Sequence, residues 1–99
     1  MGSGSEEVGG RKVPHARLFT RQDCSLCDRA LTILARLAGE DLLTFDCIDI
    51  IENAKLTQRY ALRIPVVELS TGARFEGRVS EYRLRQELTK DERRSTHHV

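Results

Sequence analysis

The sequence predicts a small α/β domain in the order β-α-β-α-β-β-α, with one mixed four-stranded sheet and helices on both of its faces. Three observations carry that expectation. Apolar residues recur at intervals of three and four from Leu26 to Ala38, the period of a helix. Short runs such as Leu42 to Ile50 carry apolar groups on both faces, as strands of a covered sheet require. A Cys24-Ser25-Leu26-Cys27 turn joins the first apolar run to the helix, and Ile64-Pro65 opens a later run about forty residues on.

His15 to Thr20 reads as the first strand, with Ala16, Leu18 and Phe19 its apolar positions. The following helix carries Ala30, Leu31, Ile33, Leu34, Leu37 and Ala38 as its apolar set. Asp23 is placed to cap its free amides, and Gly39 to stop it in a left-handed conformation. Leu42 to Ile50 is the second strand, with Phe45 and Cys47 on one face and Ile48 and Ile50 on the other. Cys47 is expected to be buried there as a small hydrophobe. Asn53 to Leu62 is a weaker helix with Leu56 and Tyr60 on one face, and Arg63 is its exit. The following proline pushes Ile64 into an extended conformation. Val66 to Ser70 and Ala73 to Glu76 form a hairpin around Thr71-Gly72. Ser80 caps the last helix, and Val79 and Leu84 are spaced to pack across that cap. Leu84 and Leu88 give this helix a thin apolar stripe, and its many charges read as a solvated face. Because the first two strands are joined through a helix, they form a parallel pair with a right-handed crossover.

The 99 residues suffice for one domain with one core, expected over 15–90. Residues 1–14, rich in Gly, Ser and charge, read as a flexible leader, and 91–99, ending in His97-His98-Val99, as a disordered tail. Sixteen basic against fifteen acidic residues leave a formal charge of +1, which provides no footprint for nucleic acid or an anionic membrane. No apolar stretch is long enough to span a bilayer, and the first residues lack the layout of a secretory signal. Three cysteines, an odd number, do not make the even disulfide framework of a small secreted domain. A reducing compartment, the cytoplasm, is the expectation.

Cys24 lies at the start of a helix, where unpaired backbone amides and the helix dipole favour a thiolate over a thiol. The thiolate is the attacking species in disulfide exchange. Cys27 follows three residues later, one turn deeper, within reach of the sulfur of Cys24. Cys24 is therefore the candidate nucleophile and Cys27 the candidate resolving residue. Arg21 either stabilises the thiolate or binds a substrate carboxylate, while Asp23 opposes ionisation of its neighbour. Pro65 reads either as a plain strand-opening trans proline or as a cis one, since cis costs an X-Pro bond only about 0.5–1 kcal/mol over trans. A cis bond would turn the backbone of Ile64 toward the cysteines, where its N–H and C=O would pair with an extended substrate.

Leu18 to Cys27, Asp46-Cys47-Ile48-Asp49-Ile50, and Tyr60-Ala61-Leu62-Arg63-Ile64-Pro65-Val66-Val67 together resemble the glutaredoxin-like family of the thioredoxin superfamily, in particular its short members. The resemblance spans residues 15 to about 90 and implies a thioredoxin-like fold of glutaredoxin type. It implies that Cys24 is the nucleophile, Cys27 the resolving cysteine, Pro65 the cis-proline and Ile64 the residue that pairs with bound peptide or glutathione. It also sets Arg21 where a basic residue binds a glutathione carboxylate, and Ser80 near the cap that binds its other end. Two departures fall on the glutathione side: Leu26 stands where an aromatic residue is usual, and Gly77-Arg78-Val79-Ser80 has one glycine and no acid.

The activity so implied is that of a thiol–disulfide oxidoreductase in cell redox homeostasis, reducing disulfides with a dithiol pair. No metal or organic cofactor is required, and glutathione is the candidate co-substrate. Expected partners are a disulfide-containing protein or glutathione mixed disulfide as substrate, and glutathione or a thioredoxin-reductase system as reductant. Two other classes stay open: an iron–sulfur or metal carrier using Cys24 in a cluster shared between subunits, and a redox-inactive binding module that uses the Pro65 groove.

Overall fold

Leu18 and Phe19 are consecutive in one strand and point to opposite faces of the sheet, and the core divides accordingly. The structure is a computed structural model that describes residues 13–97, with side chains through Lys90. Most of the expected 1–14 leader, residues 1–12, lies outside it, as do His98 and Val99.

The elements are β1 (His15–Thr20), α1 (Ser25–Gly39), β2 (Thr44–Asp49), a 3-10 turn (Ile50–Glu52), α2 (Ala54–Tyr60), β3 (Val66–Leu69), β4 (Arg74–Glu76) and α3 (Glu81–His97). The sheet order is β2-β1-β3-β4, with β1 parallel to β2 and antiparallel to β3. On one face Ala16, Leu18, Val67 and Leu69 pack with Ala30, Leu34 and Leu37 of α1 and Leu84 and Leu88 of α3. On the other, Phe19 and Val66 pack with Ile50 and with Tyr60 of α2. This is the β-α-β-α-β-β-α order and two-sided covering that the sequence predicts.

Several local expectations change. α1 begins at Ser25, and its N-cap is Cys24, whose Sγ accepts a hydrogen bond from Cys27 N–H at 3.2 Å. Asp23 does not cap; it takes φ 56°, a left-handed conformation that Asp tolerates better than most residues, and turns the chain into the helix. Gly39 does not terminate α1 in a left-handed conformation either, because that role falls to Asp41 at φ 62°. Asp41 N–H donates to the Ala38 carbonyl at 2.9 Å and Leu42 N–H to the Leu37 carbonyl at 3.0 Å. That is the paired closure of a Schellman motif, with Leu42 and Leu37 both packed in the core below it. β2 is two residues shorter at its start than expected, and Ile50 opens the 3-10 turn instead of ending the strand.

Cys47 is exposed, not buried. β2 is the edge of the sheet, so Cys47 has a strand neighbour on one side only. α2 ends at Tyr60, two residues before Leu62, which is left 99% exposed. α3 continues past Lys90 to His97, beyond the point where the 91–99 tail was expected to begin. Its charges stay on the solvated face, as expected, but several are paired there: Arg85 grips Glu40 with two bonds of 2.8 Å and also bonds Glu81, which pairs with Arg36. This network ties the end of α1 to the start of α3. The hairpin turn is as expected, with Gly72 at φ 103°, a conformation that a side chain resists. Ser80 caps α3 through a bond from Arg83 N–H at 3.2 Å, and Val79 packs on the cluster that contains Leu84. Among the described residues no helix is long and apolar enough to cross a membrane.

Leu34 is fully buried between α1 and the sheet. Its truncation to Ala is expected to cost about 2–5 kcal/mol in urea unfolding, through lost burial and the cavity left behind. The Arg85 guanidinium bonded to Glu40 holds that carboxyl below its ordinary value. A lowered folded pKa means the contribution is present above the unfolded pKa and is lost as pH falls through the folded one. Melting curves of Glu40→Gln are therefore expected to lie slightly below wild type at neutral pH and to converge with it as the pH drops below about 4.5.

Candidate active site

The sheet register brings the two halves of the motif to one end. Phe19 pairs with Val66, so the next step along the ladder sets Thr20 against Pro65. β1 leaves the sheet there and enters the turn Arg21 to Cys24. On the other flank of β3, Val66 pairs with Glu76, and Gly77 N–H donates to the Pro65 carbonyl at 2.9 Å. Gly77 has φ 70°, which releases the chain toward Ser80 and α3. Cys24, Pro65 and the Gly77–Ser80 segment thus share the end of the sheet where β1 and β4 finish and β3 begins.

Cys24 and Cys27 are disulfide-bonded, with Cα atoms 5.2 Å apart, inside the usual span for a bridge. Cys24 is half-buried, whereas Cys27 is 1% exposed under the first turn of α1. The half-buried sulfur faces two influences of the helix end: a backbone N–H aimed at it and the positive end of the α1 dipole. Arg21 and Asp23 are both exposed in the turn. Among the described residues no ion pair engages the Arg21 guanidinium, and none links it to Asp23.

The Ile64–Pro65 bond is cis, as the resemblance implies, and Pro65 is fully buried. Ile64 differs from expectation in one respect. Its N–H donates to the Tyr60 carbonyl at 3.1 Å, alongside Arg63 N–H at 2.8 Å. The chain prolongs the last turn of α2 before it enters β3, so this amide is occupied. Among the described residues that leaves the Ile64 carbonyl as the backbone group it offers. The Ser80 hydroxyl is similarly engaged as acceptor for Arg83 N–H, although its own proton remains free to donate. Among the described residues no cluster of three or more His, Cys, Asp or Glu side chains is arranged around a metal position.

Tyr60 was legible in the sequence only as one apolar position of α2. In the structure it is 3% exposed and stacks on Phe19 with ring centroids 4.5 Å apart, and its hydroxyl donates to Glu68 Oε2 at 2.8 Å.

These features define a thioredoxin-fold protein with a Cys-x-x-Cys pair at the head of its first helix. The family model described as Glutaredoxin-like domain (DUF836) matches residues 16–89, and the chain belongs to that family. Curated relatives include an uncharacterised protein of Mycobacterium tuberculosis and one of Mycobacterium bovis. Each is 32% identical over 83 residues, covering 78% of this chain and 84% of the relative. Among solved structures, a structural-genomics target from X. campestris is 32% identical, covers 76% of this chain and 96% of its own, and superposes with a TM-score of 0.64. A mutant thioredoxin from Halobacterium salinarum NRC-1 shares the fold at a TM-score of 0.64 and 19% identity, over 89% of this chain and 82% of its own.

The three thiols are expected to react in a fixed order when the reduced protein is treated with iodoacetamide near neutral pH and mapped by mass. Cys24 is modified first, at the helix end. Cys47 follows more slowly: although the residue is exposed, partial burial and then the Asp46 charge push its thiol pKa up. Cys27, covered by α1, is protected longest.

Proposed function

We propose that this chain is a thiol–disulfide oxidoreductase that reduces disulfides with the Cys24–Cys27 dithiol. The observation that carries the proposal is a bonded cysteine pair at the head of a helix, with the outer residue, Cys24, half-buried at the N-cap and the inner one, Cys27, buried. Cys24 thiolate attacks one sulfur of a substrate disulfide. A Cys24–substrate disulfide forms and the other substrate sulfur leaves as a thiolate, which takes up a proton. Cys27, deprotonated, then attacks the Cys24 sulfur, forms the internal bridge and expels the second substrate thiolate. Two electrons and two protons pass from the dithiol to the substrate. A hydrogen bond to the Cys24 sulfur from Cys27 N–H, and the helix dipole, both favour the thiolate that starts the sequence.

The Ile64–Pro65 loop lines the substrate side, with the Ile64 carbonyl as acceptor and Arg21 available for a substrate carboxylate. Substrates are disulfide-containing proteins or glutathione mixed disulfides, and the reductant is glutathione or a thioredoxin-reductase system in a reducing compartment such as the cytoplasm. The occupied Ile64 amide and the absence of an acid at Ser80 weigh toward a protein disulfide and away from a held glutathione.

Reduction of a disulfide-linked peptide tests this directly. Cys24→Ser is expected to lower turnover at least about 100-fold, because the attacking group is gone. Cys27→Ser is expected to attack once and accumulate the Cys24–peptide mixed disulfide, visible as a mass adduct. A redox titration with each donor then identifies which one reopens the bridge. Undiminished turnover in Cys24→Ser, or a wild-type pair that oxidant never links, would overturn the proposal.

A further inference from the structure

We infer that Tyr60 is a positioning residue for substrate, holding the Ile64–Pro65 loop in register with Cys24 through two different parts of the same residue. The inference rests on the proposed dithiol exchange and adds a residue to its substrate side. The Tyr60 carbonyl accepts from both Arg63 N–H at 2.8 Å and Ile64 N–H at 3.1 Å, so it carries the two residues that lead into Pro65. The Tyr60 ring lies flat on Phe19, 4.5 Å between centroids and 23° between planes. Phe19 is the β1 residue paired with Val66, just before the strand runs out toward the cysteines. The Tyr60 hydroxyl donates to Glu68 Oε2 of β3, and the same oxygen accepts from Arg74 Nη2 of β4 at 3.1 Å. One residue thus ties the loop amides to β1, β3 and, through Glu68, β4.

The hydroxyl separates positioning from packing. A phenylalanine would fill the same space and keep the stack on Phe19, so burial alone does not call for a polar atom here. The bond to Glu68 links the last turn of α2 to β3, and the carbonyl of that same turn receives the two loop amides. Without that bond the last turn of α2 is held to the sheet by packing alone, and the Ile64 carbonyl is less firmly directed relative to Cys24. Preorganisation of this kind affects substrate binding more than the reactivity of a sulfur carried on α1, a separate element.

The experiment compares wild type, Tyr60→Phe, Glu68→Leu and Glu68→Gln in reduction of a disulfide-linked peptide, with the alkylation rate of Cys24 measured in parallel. Loss of one net hydrogen bond is expected to raise KM about 3- to 10-fold in Tyr60→Phe. The values of kcat and Cys24 alkylation should stay within about twofold of wild type. Glu68→Leu should reproduce that pattern from the other side of the bond. Glu68→Gln, which still accepts from the hydroxyl, should restore KM to near wild type. Faster hydrogen exchange at the Arg63 and Ile64 amides should accompany the raised KM. An unchanged KM in both Tyr60→Phe and Glu68→Leu overturns the inference, as does a parallel fall in kcat and alkylation, which would mean general loosening. Should Tyr60→Phe not fold, Glu68→Leu alone decides. Absence of exchange in wild type would instead overturn the proposed function, and this inference with it.

Discussion

The start of α1 is the constraint on which the site depends. A helix that begins between two cysteines holds their Cα atoms 5.2 Å apart, inside the usual span of a bridge, and its first amides have no carbonyl partners of their own. Here one of those amides, that of Cys27, is satisfied by the Cys24 sulfur. Cap and reactive group are the same atom. The buried neighbour, Cys27, is in turn part of the apolar underside of the helix, so the pair is anchored by the core that forms the domain.

The second strand pair supplies the rest of the geometry. β1 and β3 run antiparallel, so the end of one lies beside the beginning of the other, and the turn carrying Cys24 leaves the sheet where the loop carrying Pro65 enters it. Two apolar clusters back this arrangement from opposite faces. The larger holds α1 and α3; the smaller, built on Phe19, Ile50, Tyr60 and Val66, holds the short α2 and thus the loop. A helix of seven residues has little intrinsic stability. Its placement rests on the Tyr60–Phe19 stack, the Asn53 cap and the Tyr60–Glu68 bond.

Within this frame the charged residues are divided in role. Arg85, Glu40, Glu81 and Arg36 join the helices on the α1–α3 side, far along the chain from the cysteine turn. Arg21 and Asp23, beside Cys24, remain exposed.

The order of elements, the covering of both faces, the Ser80 cap and the meeting of Cys24 with Cys27 were all legible in the sequence. Each follows from a local period, a local spacing or one turn residue. The contents of strand ends and caps were less so. Asp23 and Gly39 are plausible terminators by type, yet Cys24 and Asp41 took those roles, because a cap is decided by which backbone geometry the neighbouring element can accept. Cys47 looked buried because it lies in a strand of a covered sheet, yet it is exposed, since the sequence does not say which strand is at the edge. The amide of Ile64 looked free for substrate and is held by Tyr60, and the Tyr60 hydroxyl found Glu68 across a strand boundary. Local pattern alone determined the elements and the redox-capable pair; tertiary structure decided which polar groups remain available around it, since hydrogen-bond partners distant in sequence are chosen only when strands and helices pack.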